Sequence, residues 1–146
     1  MYNIAVNSVI FAILAALSFG LWTVFHKLAS PYVNQIFGAI LVSFTAVIFG
    51  TLIFFTQTKG VKLFTEPKGI IFIILAGICA FFIDFLALQA YSKGLPLTIG
   101  GPIIIGGSMA VAVAIGFIMG EPVNVAKIAG IVFIIVGGAI LAIYAS

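Results

Sequence analysis

Five runs of apolar residues, cut apart by short polar connections, constrain this chain more than any other feature. They extend from about Asn7 to His26, Tyr32 to Thr56, Gly69 to Tyr91, Leu97 to Met119 and Val123 to Tyr144. A helix needs about 20 apolar residues to cross a hydrocarbon core of about 30 Å, and each run is close to that length. The connections "HKLASP", "QTKGVKLFTEPK", "SKGLP" and "GEPVN" hold most of the charge. With 64% hydrophobic and 6% charged residues, no soluble domain of this size could hide so much apolar surface. The expected fold is therefore an all-α membrane protein, a single domain over residues 1–146 with five transmembrane helices in a lipid bilayer.

Several function classes fall away on composition. The chain has no arginine and only a small basic excess, which argues against nucleic acid as a partner. The single cysteine, Cys79, excludes an intrachain disulfide, and it reads as a small core residue. The single histidine, His26, has no nearby ligands with which to build a metal site, so neither metal nor cofactor is expected. An intramembrane enzyme would need a nucleophile–base pair, and none is visible. The first apolar run lacks a basic leader and a cleavage motif, and reads as a retained span. Lys59, Lys62, Lys68 and Lys127 fall on the N-terminal side and Lys27 and Lys93 on the other. That distribution favours a cytoplasmic N-terminus, while its small size is also what insertion in both orientations would give.

Polar groups inside the spans are the candidate site. Asp84, in "CAFFIDFLALQAY", is the one acid far from a helix end. A carboxylate in hydrocarbon is costly unless it is paired, hydrated or protonated. Counting about 1.5 Å per residue places Asp84, Trp22 and Pro102 at one depth. Gly77, Ala80, Asp84, Ala87 and Tyr91 recur at three- and four-residue steps, a stripe suited to a protein-packed or cavity-lining face. The stripe with Phe82, Phe85 and Ile78 suits lipid. Ser18 and Trp22 are spaced i, i+4 on the first helix. Asp84 reads either as a proton- or cation-binding residue, or as a buried acid satisfied by a serine, a tyrosine or the backbone. Trp22 and Tyr91 read either as interfacial belt residues or as pathway lining.

The fourth run contains its own breakers, "TIGGPIIIGGSM". Pro102 cannot donate to the carbonyl of Thr98, and Gly100 and Gly101 ease a kink there. Gly106, Gly107 and Ser108 repeat the smallness further along. Such an interruption is either a transport site or a tight helix crossing. Gly101, Pro102 and Ser108 therefore join Asp84, Ser18, Trp22 and Tyr91 as pathway candidates. Pro31, Pro67, Pro96 and Pro122 stand at or just before helix starts, where a missing N–H costs little. Glu121 is expected to cap the fifth helix, and His26 and Lys27 to anchor the end of the first at the interface. Ala126, Gly130, Gly138 and Ala142 form a small-residue face on the fifth helix, expected to pack between protomers.

The run "ALQAYSKGLPLTIGGPIIIGGSMAVAVAIGFIMGEPVNVAKIAGIVFIIVGGAIL" resembles the second half of an EamA domain of the drug/metabolite transporter superfamily. The marks are the "AL.AYS.G" end of the third helix, the in-helix Pro102, the "GEP" loop and "AGIVFIIVGGAIL". The opening "AILAALSFGLWTVFHKLA" is similar to the family's first helix. This resemblance implies a five-helix repeat, normally present twice in inverted orientation, that moves small metabolites, amino acids or drugs through a central cavity. It implies a multi-pass protein of the prokaryotic inner membrane, and a homodimer of half-transporters, most simply antiparallel, or pairing with another half-length chain. A non-transporting or heteromeric membrane subunit is the alternative. Asp84 stands where the family more often carries a neutral or aromatic residue, and the arginine common near the second helix is absent.

Overall fold

The computed structural model describes residues 6–57, 66 and 68–143. Over these the chain forms α1 (Val6–Ala29), α2 (Gln35–Gln57), α3 (Lys68–Ser92), α4 (Leu97–Ile118) and α5 (Val125–Ile143). The first four are long and apolar enough to span a membrane, while the fifth is apolar and shorter. Lys59, Lys62, Pro67 and the side chain of Ala142 lie outside the described residues.

Local chemistry sets the helix ends. The Asn34 side chain accepts from the backbone N–H of Ile36 and Phe37, at 3.0 and 3.2 Å, and caps α2. Pro31 lies in the turn before that cap. Asn124 caps α5 by accepting from the Lys127 N–H at 2.8 Å, so the cap expected of Glu121 belongs to Asn124 instead. An amide oxygen three residues before Lys127 reaches the first turn, whereas Glu121 is spent on the preceding turn. Its carboxyl lies over Gly116 and 3.5 Å from the Lys127 ammonium, in an exposed pair worth little to stability. α3 and α4 both end in a left-handed glycine, Gly94 (φ 96) and Gly120 (φ 90). After each, the next N–H reaches back five residues: Leu95 to Ala90 and Glu121 to Gly116. This close lets successive spans reverse within a few residues.

The central trio is α1, α3 and α4, each touching the other two, with α2 flanking on α3 and α5 on α4. Burial is concentrated where α1 and α3 end and α2 and α4 begin. Thr23, His26, Ser30, Ala39, Asp84, Ala87, Leu88, Tyr91 and Ile99 are all buried there. Towards the other end the helices present large apolar side chains outwards, such as Phe11 and Phe72. In lipid this surface carries no hydrophobic cost, and association rests on close backbone approach and polar contacts. Gly38 shows that approach: a Cβ there would come within 2.7 Å of Leu88. On α3, Asp84, Ala87 and Tyr91 are buried, while Gly77 and Ala80, one to two turns earlier on the same stripe, are exposed.

Candidate functional site

Asp84 sits on α3 opposite α1, and α1 offers it two partners one turn apart. The Trp22 indole Nε1–H donates to Asp84 Oδ1 at 2.8 Å. His26 Nε2 lies 3.1 Å from the same oxygen, off the line of a well-formed hydrogen bond. The other imidazole nitrogen, Nδ1, is 2.9 Å from the Trp22 carbonyl. The Trp22 and His26 rings lie against each other, with centroids 4.0 Å apart, and Phe19 continues the contact on the far side of the indole. His26 and Asp84 are both almost fully buried, at 4% and 6% exposure.

The proton inventory of this cluster follows from its geometry. A carbonyl oxygen only accepts, so Nδ1 of His26 must carry the hydrogen that faces Trp22 O. Nε2, 3.1 Å from Asp84 Oδ1 but without a hydrogen bond to it, is left as a buried nitrogen with no partner in the protomer. Among the described residues no third His, Cys, Asp or Glu joins the pair. No Lys is paired with Asp84 among them either.

A second cluster lies about 10 Å further along α3 at the usual helical rise. Tyr91 is 2% exposed and its hydroxyl has no hydrogen-bond partner. Its ring lies against Gly100 of α4, where a Cβ would be 2.5 Å from the ring edge. Lys27 of α1 donates to the Leu95 carbonyl at 2.8 Å, with its ammonium 5.8 Å from the Tyr91 ring centre. These contacts tie the end of α1 to the α3–α4 turn, and Lys27 is engaged there and not free.

The remaining candidates fall elsewhere. Ser18 is exposed and donates to its own helix at Leu14 O, away from Asp84. Gly101 is buried, and the Thr23 hydroxyl lies 4.0 Å from where its Cβ would be. Pro102 is exposed and borders a groove of about 520 Å³ between α4 and α5, with Gly106, Ile134 and Gly138. Ser108 is exposed and turns its hydroxyl to Ile105 O at 2.7 Å. Ile134 of α5 fills the notch left by Gly106 of α4, while Gly138 borders the groove with open space where its Cβ would be. Ala126 and Gly130 are exposed.

Three residues of these clusters, His26, Lys27 and Gly100, were not read from the sequence as site members. His26 was expected only as an anchor, yet it stands i+4 from Trp22 on the line begun by Ser18, and that spacing is the signal which finds it. Gly100, expected to ease a kink, instead receives the Tyr91 ring. His26 also forms part of the wall of a cleft of about 310 Å³ between α1 and α2, over Leu88 of α3 and with Thr45 opposite.

Four membrane-length helices, a shorter fifth and a buried acid held by indole and imidazole define a polytopic helical membrane protein with an ionisable intramembrane cluster. The family model of the EamA-like transporters matches residues 6–143, nearly the whole chain. The chain belongs to the EamA-like transporter family, within the drug/metabolite transporter superfamily. No curated protein and no solved structure matches it.

Proposed function

We propose that this protein moves small metabolites, amino acids or drug-like compounds across the membrane as an antiparallel homodimer of half-transporters, driven by protons bound at Asp84. The observation that carries the reading is the choice of partners for Asp84. Asp84 is a buried acid held by the Trp22 indole N–H, lies 3.1 Å from an imidazole and is paired with no Lys among the described residues. Intramembrane acids of this kind mark ion pathways. The family supports transport of small molecules.

The dimer reading draws support from what the protomer leaves uncovered. Ser18, Pro102 and Ser108 lie on exposed faces of α1 and α4, where a second copy would complete a cavity with Trp22 and Asp84 behind it. Lys27 and Lys93 on one side against Lys59, Lys62, Lys68 and Lys127 on the other make a small charge bias, which is also what insertion in both orientations would give. Ala126 and Gly130 of α5 are the small positions left for packing between protomers. The first four helices would rock about that interface, with Gly101 and Pro102 as the yielding point of α4.

The chain reconstituted alone tests this. Solutes are first selected by thermal shift on the purified protein, and flux is then measured in proteoliposomes. Flux without any second chain is expected. Flux that appears only with another half-length partner would contradict the homodimer. Single-cysteine labels at each terminus, placed in a Cys79→Ser background, should react from both sides of intact cells.

A further inference from the structure

We propose that the cleft between α1 and α2 is a solute subsite, and that it takes a small amine: an apolar body with one protonated nitrogen, in preference to carboxylates and other anions. This rests on the reading of the protein as a transporter and names the solute class which that reading leaves open.

The cleft exists because α1 and α2, although joined by a short turn, do not pack on each other among the described residues; α2 rests on α3 instead. Its volume is about 310 Å³, at the lower end of the roughly 300–1,000 Å³ usual for small-molecule sites, which combine apolar walls with a few placed polar groups. Its wall is of that kind. Leu41, Val42 and Leu88 supply apolar surface, and only His26 and Thr45 bring polar side-chain atoms to it.

Those two side chains meet a guest as acceptors. Thr45 Oγ1 donates to Leu41 O at 2.8 Å, and His26 Nδ1 donates to Trp22 O at 2.9 Å. A carbonyl only accepts, so each side chain has spent its hydrogen on its own helix. What remains is the lone pairs of the Thr45 oxygen and, on a neutral imidazole, a bare Nε2 that has no partner in the protomer. Asp84 adds a charge behind them. Gly38 of α2 lies against Leu88 of α3, and one turn inward on each helix stand Val42 and Asp84, so the acid lies at the depth of the cleft. Its Oδ1 is 3.1 Å from His26 Nε2, and among the described residues no hydrogen bond reaches its Oδ2.

A carboxylate in the cleft would bring lone pairs to side chains with no hydrogen to give, and would sit close to an acid. A buried polar group left unpaired costs its full desolvation. A protonated amine supplies what the wall lacks. Its N–H groups satisfy Thr45 Oγ1 and the acceptors on the His26–Asp84 side, and its charge is opposite to that of an ionised Asp84. No Lys lines the cleft to oppose it. The larger groove between α4 and α5 has no ionisable residue in its wall and offers no such choice.

The single tryptophan, Trp22, lies against His26 and reports binding without a label. The full chain in lipid nanodiscs is titrated with three probes that share one phenyl body: phenethylamine, phenethyl alcohol and hydrocinnamate. Trp22 fluorescence and calorimetry are read against empty nanodiscs. Saturable binding of phenethylamine is expected, about tenfold tighter than either other probe, the order that one hydrogen bond to a charged group supplies. Thr45→Val, which keeps the shape of an exposed side chain and removes its oxygen, should weaken the amine several-fold. Val42→Phe, which fills the cleft, should abolish its binding. Asp84→Asn should remove most of the preference for the amine over the alcohol. Hydrocinnamate bound as tightly as the amine, or amine binding unchanged in both Thr45→Val and Val42→Phe, overturns the assignment. Binding of all three probes no better than to empty nanodiscs also overturns it and leaves the cleft to lipid acyl chains. The expected binding pattern in a chain that moves no solute in proteoliposomes would leave the subsite standing and end the transport reading.

Discussion

Trp22 and Asp84, 62 positions apart in the chain, meet through a 2.8 Å hydrogen bond that joins α1 to α3 inside the bundle. The indole donates to an oxygen already faced by His26, so each partner removed leaves the others short. Hydrogen bonds to an ionisable acceptor are worth about 1.5–3 kcal/mol. Trp22→Phe keeps the ring contact and removes the donor. It should lower the stability of the detergent-solubilised protein by about that amount, read from thermal unfolding, and an unchanged melting curve would show the bond to be dispensable.

Gly100 and Tyr91 make a second relationship that can be tested by size alone. A methyl group at position 100 would overlap the Tyr91 ring at 2.5 Å, and the ring is too enclosed to swing aside. Overpacking of this kind costs about 1–3 kcal/mol. Gly100→Ala should therefore lower thermal stability by that order, whereas Gly107→Ala, with open space around the added carbon, should not.

The Tyr91 hydroxyl has no partner inside the protomer. Removing an unsatisfied buried polar group is close to neutral or stabilising, so Tyr91→Phe should melt within about 1 kcal/mol of the native chain or above it. Slower flux in a Tyr91→Phe protein of full stability would assign the hydroxyl to the solute pathway. A clear loss of stability would instead mean that the hydroxyl has a structural partner.

Pro102 interrupts the α4 ladder at the Thr98 carbonyl, next to the buried Gly101. Pro102→Ala restores the missing donor and removes the ring clash. It should raise thermal stability while slowing flux several-fold, if α4 yields at this point during transport. Normal flux would show that the break is neither a site nor a hinge.

The frame of the protein was legible because helical rise is fixed. Counting residues from the helix ends brought Asp84 and Trp22 to one level without knowledge of their orientation. On α3 the small and polar stripe through Asp84, Ala87 and Tyr91 gave the inward face of that half of the helix, but α1 carries too few polar positions for counting to supply its rotation. Ser18 therefore fell outside the cluster although it shares a stripe with Trp22. His26 fell inside it although a histidine beside a lysine at a helix end reads as an anchor. Asn124, and not Glu121, caps α5 because side-chain reach over a single turn decides the matter.

Solute flux in proteoliposomes with and without an imposed pH gradient, for the native chain and for Asp84→Asn, decides whether Asp84 couples transport to protons as proposed. Gradient-driven accumulation is expected of the native chain and none of Asp84→Asn, which at most lets the solute equilibrate. Accumulation by Asp84→Asn that responds to the gradient as the native protein does would contradict it.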